Sequence, residues 1–106
     1  MGSEEYSLKF TSKAEEDLDE VYGYIANNLL APEAAENLMD KIETGIMRLK
    51  AFPYSCSFVL DGTLRKRGYR KLIVDNYIVF YLVDKQERQV VIMRILYGAS
   101  NYHTII

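Results

Sequence analysis

The chain has 106 residues, 49% of them hydrophobic, and a formal net charge of −2, which is enough for one domain with a single modest core. No apolar run approaches the ~20 residues that span a bilayer, and the polar start through Glu4 and Glu5 does not read as a signal peptide. The single Cys56 excludes an internal disulfide and fits a reducing cytoplasm, and with His103 as the only histidine there are too few ligands for a metal site. No cofactor, metal or membrane contact is therefore expected.

The small net charge hides an asymmetry. Residues 1–43 hold 3 basic against 11 acidic side chains, a net of −8. Residues 44–106 hold 10 basic against 4 acidic, a net of +6. A basic half of this kind suits an anionic partner, while ordinary solvation of helix and sheet surfaces accounts for it equally well.

Tyr6-Ser7-Leu8-Lys9-Phe10 alternates apolar and polar residues, the pattern of a half-buried strand. Ser12 and Glu15 have the spacing of a capping box, with Glu16 and Asp17 adding first-turn negative charge that the helix dipole favours. The first helix is expected to run to about Asn28 with Ala14, Leu18, Val21, Tyr22, Ile25 and Leu29 on one face. Pro32 suits the first turn of a second helix. Ala35, Leu38, Met39, Ile42, Ile46 and Leu49 share a face of that helix, which ends before Phe52-Pro53. Two amphipathic helices joined by a short connection make an αα-hairpin that must pack on a sheet.

Residues 54–68 are irregular. Tyr54–Phe58 has the composition of a short pairing segment, Asp61-Gly62 reads as a turn, and Arg65-Lys66-Arg67 is a basic run. Three strands follow: residues 69–74, 77–83 and 90–98. Only Asp75-Asn76 separates the first two, and both types tolerate the positive φ of a type I′ hairpin. The order is β-α-α-β-β-β. The expected fold is α+β, a single domain over residues 1–106 with an antiparallel four-stranded sheet and the helix pair on one face. Arg70, Leu72 and Val74 share one side of their strand, and Lys71 and Ile73 the other; alternation alone does not say which side meets the helices. If Arg70 lies on the uncovered side, the basic half becomes a phosphate groove. Tyr22, Tyr24, Tyr77 and Tyr81 are expected in the core or at its edge. Arg94 either pairs with a helix carboxylate or faces that groove.

Taken in order, Phe10-Thr11 before an acidic helix start, Leu49-x-x-Phe52-Pro53, Gly68-Tyr69-Arg70, Tyr77-x-x-x-Tyr81 and Ile92-x-Arg94-Ile95-Leu96-Tyr97-Gly98 resemble the RelE/ParE superfamily of type II toxin–antitoxin toxins. The resemblance covers nearly the whole chain. It implies a small bacterial cytoplasmic toxin of a kind associated with plasmid stabilization, held inactive by a cognate antitoxin. It also implies one of two modes: RelE-like cleavage of mRNA on the ribosome, or ParE-like inhibition of DNA gyrase. The ribosome-directed reading, mRNA cleavage or a block of translation, is the one preferred from sequence; if the chain cleaves, it does so as an mRNA interferase working without metal. In it Arg70 stabilises phosphate charge, Tyr102 stacks on a base and His103 exchanges a proton, while Arg65, Lys66 and Arg67 bind RNA. With Arg70 exposed in a groove, its truncation should leave folding nearly unchanged. Against that reading, Gly98 is followed by Ala99 and Ser100 where the family often has two basic residues. That substitution leaves the gyrase mode, or an attenuated antitoxin-binding relative, as alternatives.

Overall fold

Thr11, not Ser12, starts the first helix. Its side chain accepts a hydrogen bond from the Ala14 backbone N–H at 3.0 Å and donates to the Met93 carbonyl at 2.9 Å. Ser12 already has helical geometry, so the capping box at Ser12 and Glu15 does not form; an N-cap needs extended backbone, which Thr11 supplies. The computed structural model describes residues 5–100 and 102. Its elements are β1 (Ser7–Phe10), α1 (Ser12–Gly23), α2 (Pro32–Arg48), α3 (Gly62–Lys66), β2 (Arg70–Val74), β3 (Tyr77–Asp84) and β4 (Gln89–Tyr97).

A π-helical turn over Tyr24–Asn28 extends α1 to the expected end. Wider coiling there re-phases the apolar stripe. Ala14 is buried and Leu18, Val21 and Ile25 are partly buried, but Leu29 lies 55% exposed beyond the turn. Leu30, with φ of 54°, then reverses the chain into Pro32. α2 keeps its phase, and Ala35, Leu38, Ile42, Ile46 and Leu49 are all buried. It crosses β2 closely at Gly45, where an added Cβ would sit 3.0 Å from Leu72 Cδ2.

The sheet order is β1-β4-β3-β2. β2, β3 and β4 form the expected antiparallel meander, whereas β1 lies parallel to β4, with Ser7 opposite Gln89 and Phe10 opposite Ile92. The sheet is thus mixed and not antiparallel throughout. Alternation marks β1 as a strand but carries no information on its partner's direction; contacts from α1 set that. Asp17, 5% exposed, accepts from Ile95 N at 2.9 Å and from Arg94 Nε and Nη2 at 2.7 and 2.9 Å. With Thr11 on Met93, these bonds fasten α1 along β4. They also settle Arg94 as the partner of a helix carboxylate, whose hydrogen bonds raise the guanidinium's proton affinity further. Met93 has no partner across β3, because the register shifts between Phe80 and Tyr81, and this bulge lies beside the Thr11 bond.

Val74 pairs with Tyr77, so the first hairpin has two loop residues as expected. Only Asp75 of the two has positive φ, 53°, which excludes type I′. Asp61 is not a simple turn residue but the N-cap of α3, accepting from Leu64 N at 3.0 Å.

Two cores result. The helix side buries Ile42, Ile46, Val79, Tyr81, Ile92 and Ile95. The other side of the sheet is not bare: Ile78, Phe80 and Tyr69 pack with Val59, with Leu64 of α3 and with Tyr102.

Candidate functional site

β2 carries Arg70 on the same side as Leu72 and Val74, which the helix-side core absorbs. Arg70 therefore faces the helix side of the sheet, where residues 53–58 cover it, and not an open second face. Its Nη1 donates to the Cys56 carbonyl at 2.6 Å. Its guanidinium lies 4.0 Å from the Phe58 ring centroid and 5.2 Å from that of Tyr54. The covering segment is held from below as well. Tyr81, fully buried, donates its hydroxyl to the Pro53 carbonyl at 3.0 Å, and burial pushes its pKa upward. At the β2 edge, Val59 N donates to Tyr69 O and Lys71 N to Ser57 O, so Phe58 bridges Arg70 as the expected short pairing segment.

An open cleft of about 410 Å³ lies here, lined by Tyr54, Ser57, Phe58, Leu60, Arg65 and Arg70 among others. Arg65 reaches it from α3, with its guanidinium 5.5 Å from the Phe58 centroid. The basic run then divides. Lys66 is exposed on α3, and Arg67 turns to Tyr69, 5.0 Å from its centroid and 3.5 Å from its hydroxyl. Gly68, with φ of 88°, makes the turn that separates them from Arg70.

Tyr102 lies on the opposite side of the sheet. Its ring rests on Phe80 at 4.8 Å between centroids. The structure thus brings Arg65 and Arg70 together around Phe58 but does not bring Tyr102 to them, and His103 lies outside the described residues. Tyr54 and Phe58, which hold the arginines in place, carry no sequence signal as site residues: in an irregular loop their spacing says nothing of a shared face. Among the described residues, no group of His, Cys, Asp and Glu could hold a metal ion, and no helix is long and apolar enough to cross a membrane.

A second cleft, about 320 Å³ and mainly apolar, opens between α1, α2 and β1, lined by Leu8, Phe10, Leu18, Met39 and Ile46 with Glu43 at its rim. β1 has a strand neighbour on one side only.

The sequence model of the ParE toxin of the type II toxin–antitoxin system parDE matches residues 8–102. The chain belongs to the ParE toxin family. Within the wider RelE/ParE superfamily, its fold is similar to that of a chain of the chromosomal ParDE system of P. aeruginosa. That match has a TM-score of 0.71 at 24% identity, over 89% of this chain and 97% of the other. It is also similar to a chain of the RelBE2 toxin–antitoxin complex of Mycobacterium tuberculosis, with a TM-score of 0.62 at 22% identity over 88% and 98%. The isolated E. coli RelE toxin matches with a TM-score of 0.59 at 16% identity over 94% and 93%. At these identities the likeness is one of fold, and this ParE-family chain shares it with both branches. No curated protein matches the sequence.

Proposed function

We propose that this ParE-family toxin poisons its target by binding and not by cutting RNA, with DNA gyrase as the target and a cognate antitoxin as its inhibitor. The separation of Arg70 from Tyr102 across the sheet carries this reading. Cleavage by the RNA's own 2′-OH needs charge stabilisation and proton transfer converging within hydrogen-bond reach of one phosphate. Arg70 is bonded to Cys56 and packed on two rings, Tyr102 is on Phe80, and Ala99 and Ser100 supply no charge. Binding requires no such convergence. The antitoxin is proposed because the similar ParDE and RelBE2 structures belong to toxin–antitoxin pairs. The apolar cleft beside the open edge of β1 suits an amphipathic helix, an added strand, or both.

The test uses the purified chain in two assays run side by side. Inhibition of gyrase supercoiling without cleavage of ribosome-bound message is the expected result. Cleavage of message with gyrase unaffected overturns the reading and restores the nuclease one.

A further inference from the structure

Where β3 starts and β4 ends, α1 and the sheet leave an open cleft of about 320 Å³, lined by Glu20, Tyr24, Tyr77, Ile95, Tyr97 and Ser100 among others. It shares no lining residue with the apolar cleft or with the cleft around Phe58. Three tyrosines converge on it. Tyr77 opens β3 and Tyr97 closes β4, and the register sets them directly opposite each other. Their rings therefore share a side of the sheet, 5.7 Å apart between centroids and 65° from parallel. Tyr24 comes from α1's end, as the first residue of the π turn, where Leu29 N donates to its carbonyl at 3.0 Å. Such turns recur at functional sites. By spacing, Asp17, Glu20, Val21 and Tyr24 lie along one helix face. Burial first, and then the nearness of Tyr24 and Tyr97, push the Tyr77 pKa up, as expected of three phenols gathered together.

Core packing alone would bury these rings, yet Tyr24 is 53% and Tyr97 51% exposed. Aromatic faces carry negative potential. The charge of Asp17 is matched by Arg94, so the exposed Glu20 sets the sign of the cleft. Its field already helps to raise the Arg94 pKa, after Asp17 and against the effect of burial. Aromatic faces gathered around one point are the pattern that holds an organic cation, and a carboxylate at the rim adds to it. A guanidinium suits this cleft better than an ammonium. It is planar and stacks on rings, while its N–H donors reach a carboxylate and phenol oxygens in the same plane. One cation in an open cleft is held weakly by itself, so the occupant is one side chain of a larger contact. Exposed Glu15, Glu16 and Asp19 on α1 complement further basic residues beside it. We infer that this cleft takes an arginine side chain from a basic segment of a protein partner. The inference goes beyond the proposed function, which uses a different cleft for the antitoxin, and holds whether or not gyrase is the target.

The test uses labelled hexa-arginine and hexa-lysine peptides as probes, with fluorescence anisotropy against the full chain. Hexa-arginine should bind, and about 3-fold or more tighter than hexa-lysine, because only the guanidinium stacks and bonds at once. Tyr24→Ala should weaken hexa-arginine binding about 3-fold, the size of one exposed cation–π contact. Tyr24→Phe, which keeps the ring, should retain most of it. Glu20→Gln should weaken it by a similar factor, while Glu36→Gln, exposed on α2, is the control for diffuse charge and should leave it nearly unchanged. Circular dichroism checks that each variant is folded; Tyr24 and Glu20 are exposed, so their loss should not unfold the chain. Amide shifts on adding hexa-arginine, concentrated at Tyr24 and Tyr97–Ser100, would support the site directly. Absence of binding at about 50 mM salt, equal affinity for the two peptides, or equal losses in Glu20→Gln and Glu36→Gln overturns it. Free spermidine binding as tightly as hexa-arginine also overturns it, since the cleft would then serve a small cation and not a protein side chain.

Discussion

Two arginines fasten two seams of this molecule in different ways. Arg94 closes the seam between α1 and β4 on a carboxylate: its fork meets both oxygens of Asp17, with the Arg94 and Asp17 side chains only 15% and 6% exposed. Arg70 closes the seam between β2 and the 53–58 loop on a neutral carbonyl and two rings, and stays half-buried. The charge of Arg94 is neutralised within the fold. The charge of Arg70 is not, because neither the carbonyl nor the rings carry an opposite charge. A seam can therefore be held by an arginine that still presents its charge to a partner, and this is why the cleft around Phe58, and not the β4 seam, is the candidate site.

Breaking the first seam should be the costlier change. Asp17→Ala leaves Arg94 and the Ile95 N–H without their acceptor in a nearly dry position, a loss expected at about 3–5 kcal/mol and measurable by urea unfolding. Only a small shift in the midpoint would mean that Arg94 re-solvates easily and that the contrast between the seams is weaker than the geometry implies. Arg70→Ala should cost about 1–3 kcal/mol, the range for a half-buried carbonyl left without its charged donor. This replaces the expectation that its truncation leaves folding nearly unchanged. The loss should come with faster proteolysis within residues 53–58 before global unfolding, and an unchanged cleavage pattern would show that the loop is held without it.

The smallest effect concerns Tyr81 under the same loop. Tyr81→Phe removes the donor to Pro53, about 1 kcal/mol at neutral pH. The folded pKa of Tyr81 lies above the unfolded value of about 10. Its contribution is therefore complete below about pH 10, and it is lost as pH rises from there through the folded value, because the unfolded chain releases the proton first. Wild type should lose stability more steeply than Tyr81→Phe above about pH 10, as denaturation at stepped pH would show. Parallel pH curves for the two would place the alkaline loss elsewhere.

The two long helices and the antiparallel meander were legible because they are local, while the short α3 was hidden in a stretch read as irregular. α2 shows an unbroken 3.6-residue phase, and Asp75-Asn76 is short enough to force a hairpin. The direction of β1 was not legible, since period-two alternation is the same for parallel and antiparallel partners. Thr11 was passed over for Ser12 because both residue types cap and only backbone geometry separates them. The π turn left no mark in the composition of Tyr24–Asn28. At the site, Arg70 was read correctly as sharing a side with Leu72 and Val74, but which side this was depended on α2, packed at Gly45. The run Arg65-Lys66-Arg67 was read as one patch. The turn of α3 splits it, with Arg65 toward Phe58 and Arg67 toward Tyr69.

The parallel β1–β4 pairing also orders events in time. Hairpin closure joins β2, β3 and β4 over loops of a few residues, which is fast. β1 closes on β4 only across most of the chain, with Thr11 bonded to a carbonyl 82 positions away. Loop-closure entropy makes that the late step. On a ribosome, the first strand to emerge must wait for the last before it has a neighbour. Until then β1 and α1 lack the strand that fastens them, and β1, whose Leu8 and Phe10 line the cleft with α1 and α2, is not held in place. A partner that docks in that cleft would therefore find it fully formed only after β1 has paired with β4.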